Sequence, residues 1–160
     1  MDRGDILPHF VMKDENGENV DSDLLKGLRY VLFFYSKDGT PGCTKEAQEF
    51  SAIYQKFLMR NVTVFGVSAD TPGSHSAFRR DNSLREKLLC DPDNAYAETV
   101  GAFGEKTLYG KKVIGTIRST FLIGKDGKVE AAWHNVKATG HAQRVLDAML
   151  SHYREEAPEM

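Results

Sequence analysis

The stretch V-L-F-F-Y-S-K-D-G-T-P-G-C-T-K-E-A, Val31 to Ala47, decides the fold. Tyr30 to Tyr35 is a continuous aromatic and aliphatic run, the pattern of a strand buried on both faces. Ser36 to Gly42 reads as a loop, and Thr40-Pro41 within it reads as an N-cap followed by proline at N1. Ala47, Phe50, Tyr54, Phe57 and Leu58 then recur at helical spacing, which predicts a helix continuing to about Met59. Strand, loop and helix together place Cys43 at N3, in the first helical turn.

Working outward, Val62 to Val67 is a second β-branched strand, and Thr71-Pro72 opens another helix. Lys87 to Leu89 is a short strand, and Asp91-Pro92-Asp93 starts a helix running to about Val100. Thr116 to Ile123 and Lys128 to His134 flank Asp126-Gly127 as an antiparallel hairpin. His141 to Tyr153 forms a terminal helix with Val145, Leu146, Met149 and Leu150 on one face. Near the start, Phe10 to Met12 and a segment around Val20 flank Asn16-Gly17, a weaker hairpin signal. Alternating strands and helices imply parallel pairs joined by right-handed crossovers, with the late hairpin adding antiparallel strands at one side. The expected class is α/β, a mixed central sheet flanked by helices. In such sheets functional groups gather at the carboxyl ends of the parallel strands, where Ser36 to Gly42 lies.

The 160 residues fit one domain, 1–160, with no repeat and no linker long enough to divide it. A net charge of −2 argues against nucleic-acid binding, which needs a basic stripe. The N-terminal ten residues lack a secretory pattern, and the longest strongly apolar stretch, Val31 to Tyr35, is far too short to span a bilayer. Two cysteines 47 residues apart form no disulfide framework, so a reducing, cytoplasmic setting is expected. The five histidines show no ligand spacing, so neither metal nor cofactor is expected. Gly104 to Lys111 fails as a nucleotide loop, and Asp91-x-Asp93 fails as a calcium loop. A Cys–His hydrolase would need His75 or His134 beside Cys43, with an orienting partner that the sequence does not display.

At N3, unsatisfied amides and the helix dipole favour an anion, so the Cys43 thiol should ionise readily. The alternative is a small buried residue in a capped helix, although Gly42 and Thr44 leave the sulfur uncrowded. T-P-G-C is also a C-x-x-C motif whose first cysteine is threonine, which excludes dithiol exchange within the motif. A hydroxyl three residues from a thiolate suits a substrate that is hydrogen-bonded while attacked, such as a peroxide.

These residues resemble a known family. The segment Val31 to Ala47 is similar to the active-site segment of peroxiredoxins, and T-P-G-C-T-K-E to their PrxQ, or bacterioferritin comigratory protein, branch. The similarity extends through G-V-S-A-D, L-L-C-D-P-D and Y-G-K-K-V-I-G-T-I-R-S-T-F-L-I to the D-G-K hairpin. The resemblance implies a thioredoxin-like peroxiredoxin fold and a thiol-dependent peroxidase acting on hydrogen peroxide and organic hydroperoxides. It casts Cys43 as the peroxidatic nucleophile, Thr40 as the group holding the peroxide and Arg118 as stabiliser of the thiolate and the departing oxygen. Glu46 would orient Arg118, or serve as an ordinary first-turn acidic residue; Gly42 is a further supporting position. Ser36 stands where the family usually has proline, which should loosen the loop and leave the thiolate less shielded.

A sulfenic acid must meet a thiol to return to service. Gln48 occupies the position of the resolving cysteine found in many PrxQ proteins, and no cysteine lies in Ser74 to Asn82 or near the C-terminus. Cys90 is therefore the one internal candidate, read first as a buried residue ending a strand and alternatively as the resolving thiol. The expected enzyme uses Cys43 alone, recycled by an external thiol: thioredoxin, glutaredoxin or glutathione. It should be a monomer, with a weak dimer as the alternative. The competing reading is a non-enzymatic thioredoxin-like redox sensor or holdase.

Overall fold

The computed structural model describes residues 1–156. The apolar run becomes β3 (Arg29–Phe34), which pairs in parallel with β4 (Val62–Ser68) and antiparallel with β8 (Ser119–Ile123). Beyond β4 lies β5 (Lys87–Cys90), also parallel. The hairpin of β1 (Val11–Lys13) and β2 (Asn19–Asp21) closes that edge, and β9 (Val129–Trp133) closes the other. The sheet has seven strands in the order β2-β1-β5-β4-β3-β8-β9. A separate two-stranded arm comprises β6 (Phe103–Leu108) and β7 (Lys111–Thr116).

Because successive strand residues point to opposite faces, β3 divides its side chains between two cores. Val31, Phe33 and Tyr35 face α1 (Pro41–Ala52), α2 (Tyr54–Leu58), α3 (Pro72–Asn82) and α5 (His141–Glu156), packing with Phe50, Phe57, Phe78 and Leu146. Tyr30, Leu32 and Phe34 face the N-terminal segment and α4 (Ala95–Val100), packing with Phe10, Phe65, Val100 and Phe121. Phe33 stacks on Phe50 at 4.5 Å between ring centroids, which ties α1 to β3 directly behind the cysteine loop. Gly66 makes room for this: a Cβ there would lie 2.8 Å from both the Phe33 ring and Leu88.

Three local expectations need correction. The helix expected to reach Met59 breaks at Ile53, where the ladder tightens to an i→i+3 bond from Lys56 N–H to the Ile53 carbonyl. The helix expected at Asp91 begins with a 3-10 turn, Pro92–Asn94, and becomes α-helical only at Ala95. Asp91 still acts as a cap, its carboxylate accepting from the Tyr96 and Ala97 amides at 2.9 Å each. Finally, Thr116 does not share a strand with Ile123. It ends β7, the chain turns at Ile117 and Arg118, and β8 starts at Ser119. The β6–β7 arm is not marked in the sequence because none of its strand residues is buried and its apolar positions do not alternate.

Candidate active site

The loop from Ser36 to Thr40 leaves the carboxyl end of β3 and delivers the chain into α1. Thr40 occupies the N-cap with extended backbone, and Pro41 starts the helix, so Cys43 is at N3 as expected. The Thr40 side chain does not cap, however. Its hydroxyl donates to the Lys37 carbonyl at 2.9 Å, closing the loop on itself and leaving the oxygen's lone pairs open. The left-handed turn falls on Gly39, φ +82°, where a side chain would be strained.

Cys43 is only 1% exposed. The Ser36 hydroxyl lies 3.3 Å from Sγ, so the residue in the proline position contributes a polar contact. Arg118 reaches the same sulfur from the turn before β8, Nη2 donating to Sγ at 3.3 Å. Its Nη1 donates to Glu46 Oε1 at 2.6 Å, one turn further along α1. The Arg118 carbonyl accepts from the Val136 amide at 3.0 Å, which fixes the turn. Gly42 lies alongside, where a Cβ would come to ordinary contact with Nη2 at 3.4 Å. The structure thus brings Cys43, Thr40, Arg118, Glu46 and Gly42 to one helix entrance.

The electrostatics follow from these contacts. Burial pushes the Cys43 thiol up, but the Ser36 and Thr40 hydroxyls, the Lys37 backbone and Arg118 together outweigh it and bring it down to about 7. Glu46 is fully buried and its Oε2 has no hydrogen-bond partner; burial, only partly offset by Arg118, lifts its carboxyl to about 7. Burial would weaken the Arg118 charge, yet Glu46 and Cys43 hold the guanidinium above its ordinary range. A permanently charged, two-pronged donor thus faces a sulfur poised to ionise near neutrality.

Cys90 is not brought to this centre. β3, which leads to Cys43, and β5, which ends in Cys90, are separated by β4. Both thiols are free, and Cys90 Sγ lies 4.0 Å from the Asp14 carbonyl. Burial, followed by the nearby Asp38, Asp14, Asp70 and Glu15, pushes Cys90 up to about 11. Gln48 points to α3, where its amide donates to Asn82 Oδ1 at 3.3 Å.

The chain matches the AhpC/TSA family over residues 3–132. It belongs to that family, in the Bcp/PrxQ branch of the peroxiredoxins. A bcp protein of Helicobacter pylori is 44% identical over 146 residues, spanning 91% of this chain and 96% of its own. The bacterioferritin comigratory protein of Xanthomonas campestris, studied for alkyl peroxide reduction through trapped intermediate and ligand complexes, superposes with a TM-score of 0.83 at 36% identity, covering 89% of this chain and 91% of that one. A PrxQ of Xylella fastidiosa gives a TM-score of 0.88 at 35% identity, covering 96% and 98%. The fold is therefore the thioredoxin-like peroxiredoxin fold, and the protein is a thiol peroxidase. Among the described residues, no helix of this peroxiredoxin is long and apolar enough to cross a membrane.

Sequence reasoning missed a second polar group beside the peroxiredoxin's cysteine loop. His75, for which the sequence displays no orienting partner, has one: its Nδ1 is 2.7 Å from Asp38 Oδ2. Asp70 joins them, accepting the Asp38 amide at 2.9 Å. The separation of 37 positions between Asp38 and His75 leaves no local spacing to read. Among the described residues, Asp38, Asp70 and His75 and the surface group His9, Asp21 and Asp23 each gather potential metal-ligand atoms within 4.8 Å. In both groups hydrogen bonds within the protein already engage these residues.

Proposed function

We propose that Cys43 is the peroxidatic nucleophile, acting on hydrogen peroxide and alkyl hydroperoxides with Thr40 and Arg118 as partners. The observation that carries this reading is the Arg118 guanidinium held between Sγ of Cys43 and the carboxylate of Glu46. The Cys43 thiolate attacks the terminal oxygen of the hydroperoxide. An S–O bond forms as the O–O bond breaks, the sulfur is oxidised by two electrons, and the alkoxide or hydroxide leaves and takes up a proton. Arg118 faces the negative charge as it passes from sulfur to the departing oxygen, which is where a fixed donor lowers the barrier most. Thr40, whose own proton is committed to Lys37, can accept a hydrogen bond from the peroxide O–H and so orient the attack. Gly42 lies beside the guanidinium as a supporting position, and Glu46 holds Arg118 in line.

The resulting sulfenic acid is recycled by an external thiol. That thiol's sulfur displaces hydroxide as water and forms a mixed disulfide, which a second thiol reduces. Support comes from the free state of both thiols and from the high position of the Cys90 thiol, which ends a strand two removed from the one leading to Cys43. The reductant class is a thioredoxin, a glutaredoxin or glutathione, in a reducing compartment such as the cytoplasm, in keeping with the two free thiols.

Single-turnover peroxide consumption tests both parts. Cys43→Ser should abolish the reaction, and Cys90→Ser should leave its rate within about twofold. After one equivalent of peroxide, mass spectrometry should find a trappable sulfenic acid on Cys43. A Cys43–Cys90 disulfide would overturn the external-thiol step, and a Cys43→Ser protein of full activity would overturn the nucleophile.

A further inference from the structure

The loop that surrounds Cys43 has almost no apolar anchor of its own. Ser36, Lys37 and Gly39 are exposed, and the Thr40 hydroxyl donates to the Lys37 carbonyl within the same loop. What fixes it is Asp38, whose carboxylate turns inward and is almost wholly buried. Asp38 Oδ1 accepts from the Tyr35 hydroxyl at 2.6 Å. Oδ2 accepts from Ser74 Oγ at 2.8 Å and lies 2.7 Å from His75 Nδ1. The Asp38 amide donates to Asp70 Oδ2, which also accepts from Ser68 Oγ at 2.6 Å. One loop residue is thereby joined to the end of β3, the segment after β4 and the first turn of α3.

His75 extends the connection to a further strand. It is fully buried, and its Nε2 lies 2.9 Å from the carbonyl oxygen of Leu89 in β5. A carbonyl can only accept, so Nε2 carries a proton. Burial alone would raise the Asp38 carboxyl, but hydrogen bonds from His75, Tyr35 and Ser74 outweigh it and keep the group ionised. An ionised carboxylate also only accepts, so the Asp38 oxygen and the Leu89 carbonyl hold the two ring nitrogens of His75 from opposite sides. Asp38 and His75 are therefore buried hydrogen-bond partners, and loss of either leaves the other's polar atom unsatisfied.

We propose that Asp38 and His75 act as a positioning clamp, holding the Ser36–Thr40 loop in the shape that directs the Ser36 and Thr40 hydroxyls at the Cys43 sulfur. Neither residue touches substrate. The clamp works through the loop and supplies rigidity where Ser36, unlike a proline ring, constrains no backbone angle. This inference rests on Cys43 being the nucleophile.

The test uses the full chain with three substitutions: Asp38→Asn, His75→Gln and the milder Ser74→Ala. For each, the Cys43 thiolate is titrated by absorbance near 240 nm, the single-turnover peroxide rate is measured at pH 9, and folding is checked by circular dichroism. A clamp predicts that folded Asp38→Asn and His75→Gln proteins ionise Cys43 at higher pH and react about tenfold or more slowly, because misplaced donors near a reacting atom are costly. Ser74→Ala should shift both readouts in the same direction by less. A folded Asp38→Asn protein with lowered thermal stability but an unmoved Cys43 titration and rate would overturn the clamp and leave the pair purely structural. If the two larger changes prevent folding, Ser74→Ala decides, and an unmoved titration and rate there overturns the proposal. The Cys43→Ser control separates the two readings: if that protein still consumes peroxide, the nucleophile has failed, not the clamp.

Discussion

The two thiols of this chain are nearly equally hidden, yet they are pushed in opposite directions. Cys43 is 1% exposed and titrates at about 7; Cys90 is 6% exposed and is pushed up to about 11. Burial raises both, so burial cannot be what separates them. The difference is in the company each keeps. Around Cys43 stand hydrogen-bond donors and a guanidinium, at the start of a twelve-residue helix. Around Cys90 stand carboxylates, and its Sγ approaches only a carbonyl oxygen. Both sulfurs lie at the carboxyl end of the parallel strands, so the sheet offers two positions and the local polar groups choose between them.

The comparison breaks most directly at Arg118, which has no counterpart at Cys90. Arg118→Met should move the Cys43 titration upward and slow peroxide reduction by about 10²–10³-fold, the usual cost of losing a donor aimed at developing charge. Thiolate absorbance and single-turnover kinetics on the same preparation would show it; an unmoved titration removes Arg118 from the role. Thr40→Val should have the next largest effect, about 10–10²-fold on the rate, with the fold retained. The valine lacks both the lone pairs offered to the peroxide and the bond to Lys37. A rate equal to that of the unsubstituted protein would show that the hydroxyl does not orient the substrate.

Much of this arrangement was legible because it is local. The strand at Tyr30–Tyr35, the N-cap at Thr40 and the N3 position of Cys43 follow from neighbours in sequence, and the structure reproduces them. Arg118 is different. It lies 75 residues from Cys43, and only resemblance to a family motif pointed to it, because a charged residue before an apolar strand has no local mark of its partner. The turn at Ile117–Arg118 that aims it depends on the β6–β7 arm, whose exposed strands carry little periodicity. The Asp38–His75 pair was unreadable for the same reason, being made by the packing of α3 against the end of β3. Ser36 was half legible. Loss of proline suggested a looser loop, and the structure adds that the side chain in its place contacts the sulfur. Backbone stiffness could be reasoned from the residue type, but the new polar contact needed coordinates.

The smallest expected effect is the one that measures the contrast itself. With Cys43 at about 7, the thiolate fraction rises from about 0.1 at pH 6 to about 0.9 at pH 8. Acidification protonates the sulfur and removes the nucleophile, so the peroxide rate should increase with pH by at most about tenfold over that interval. The rise should be broader than a single titration. Glu46 also ionises at about 7, and its negative charge faces the thiolate through the shared Arg118, so each group resists the ionisation of the other. Cys90 adds nothing in this range, because at about 11 it remains a thiol. Absorbance titrations of Cys90→Ser and Cys43→Ser proteins would separate the two sulfurs, the first changing around pH 7 and the second only far into the alkaline range. A flat rate between pH 6 and 8, or a Cys43→Ser protein whose remaining thiol ionises below about pH 9, would mean that the surrounding charges do not set the two sulfurs apart.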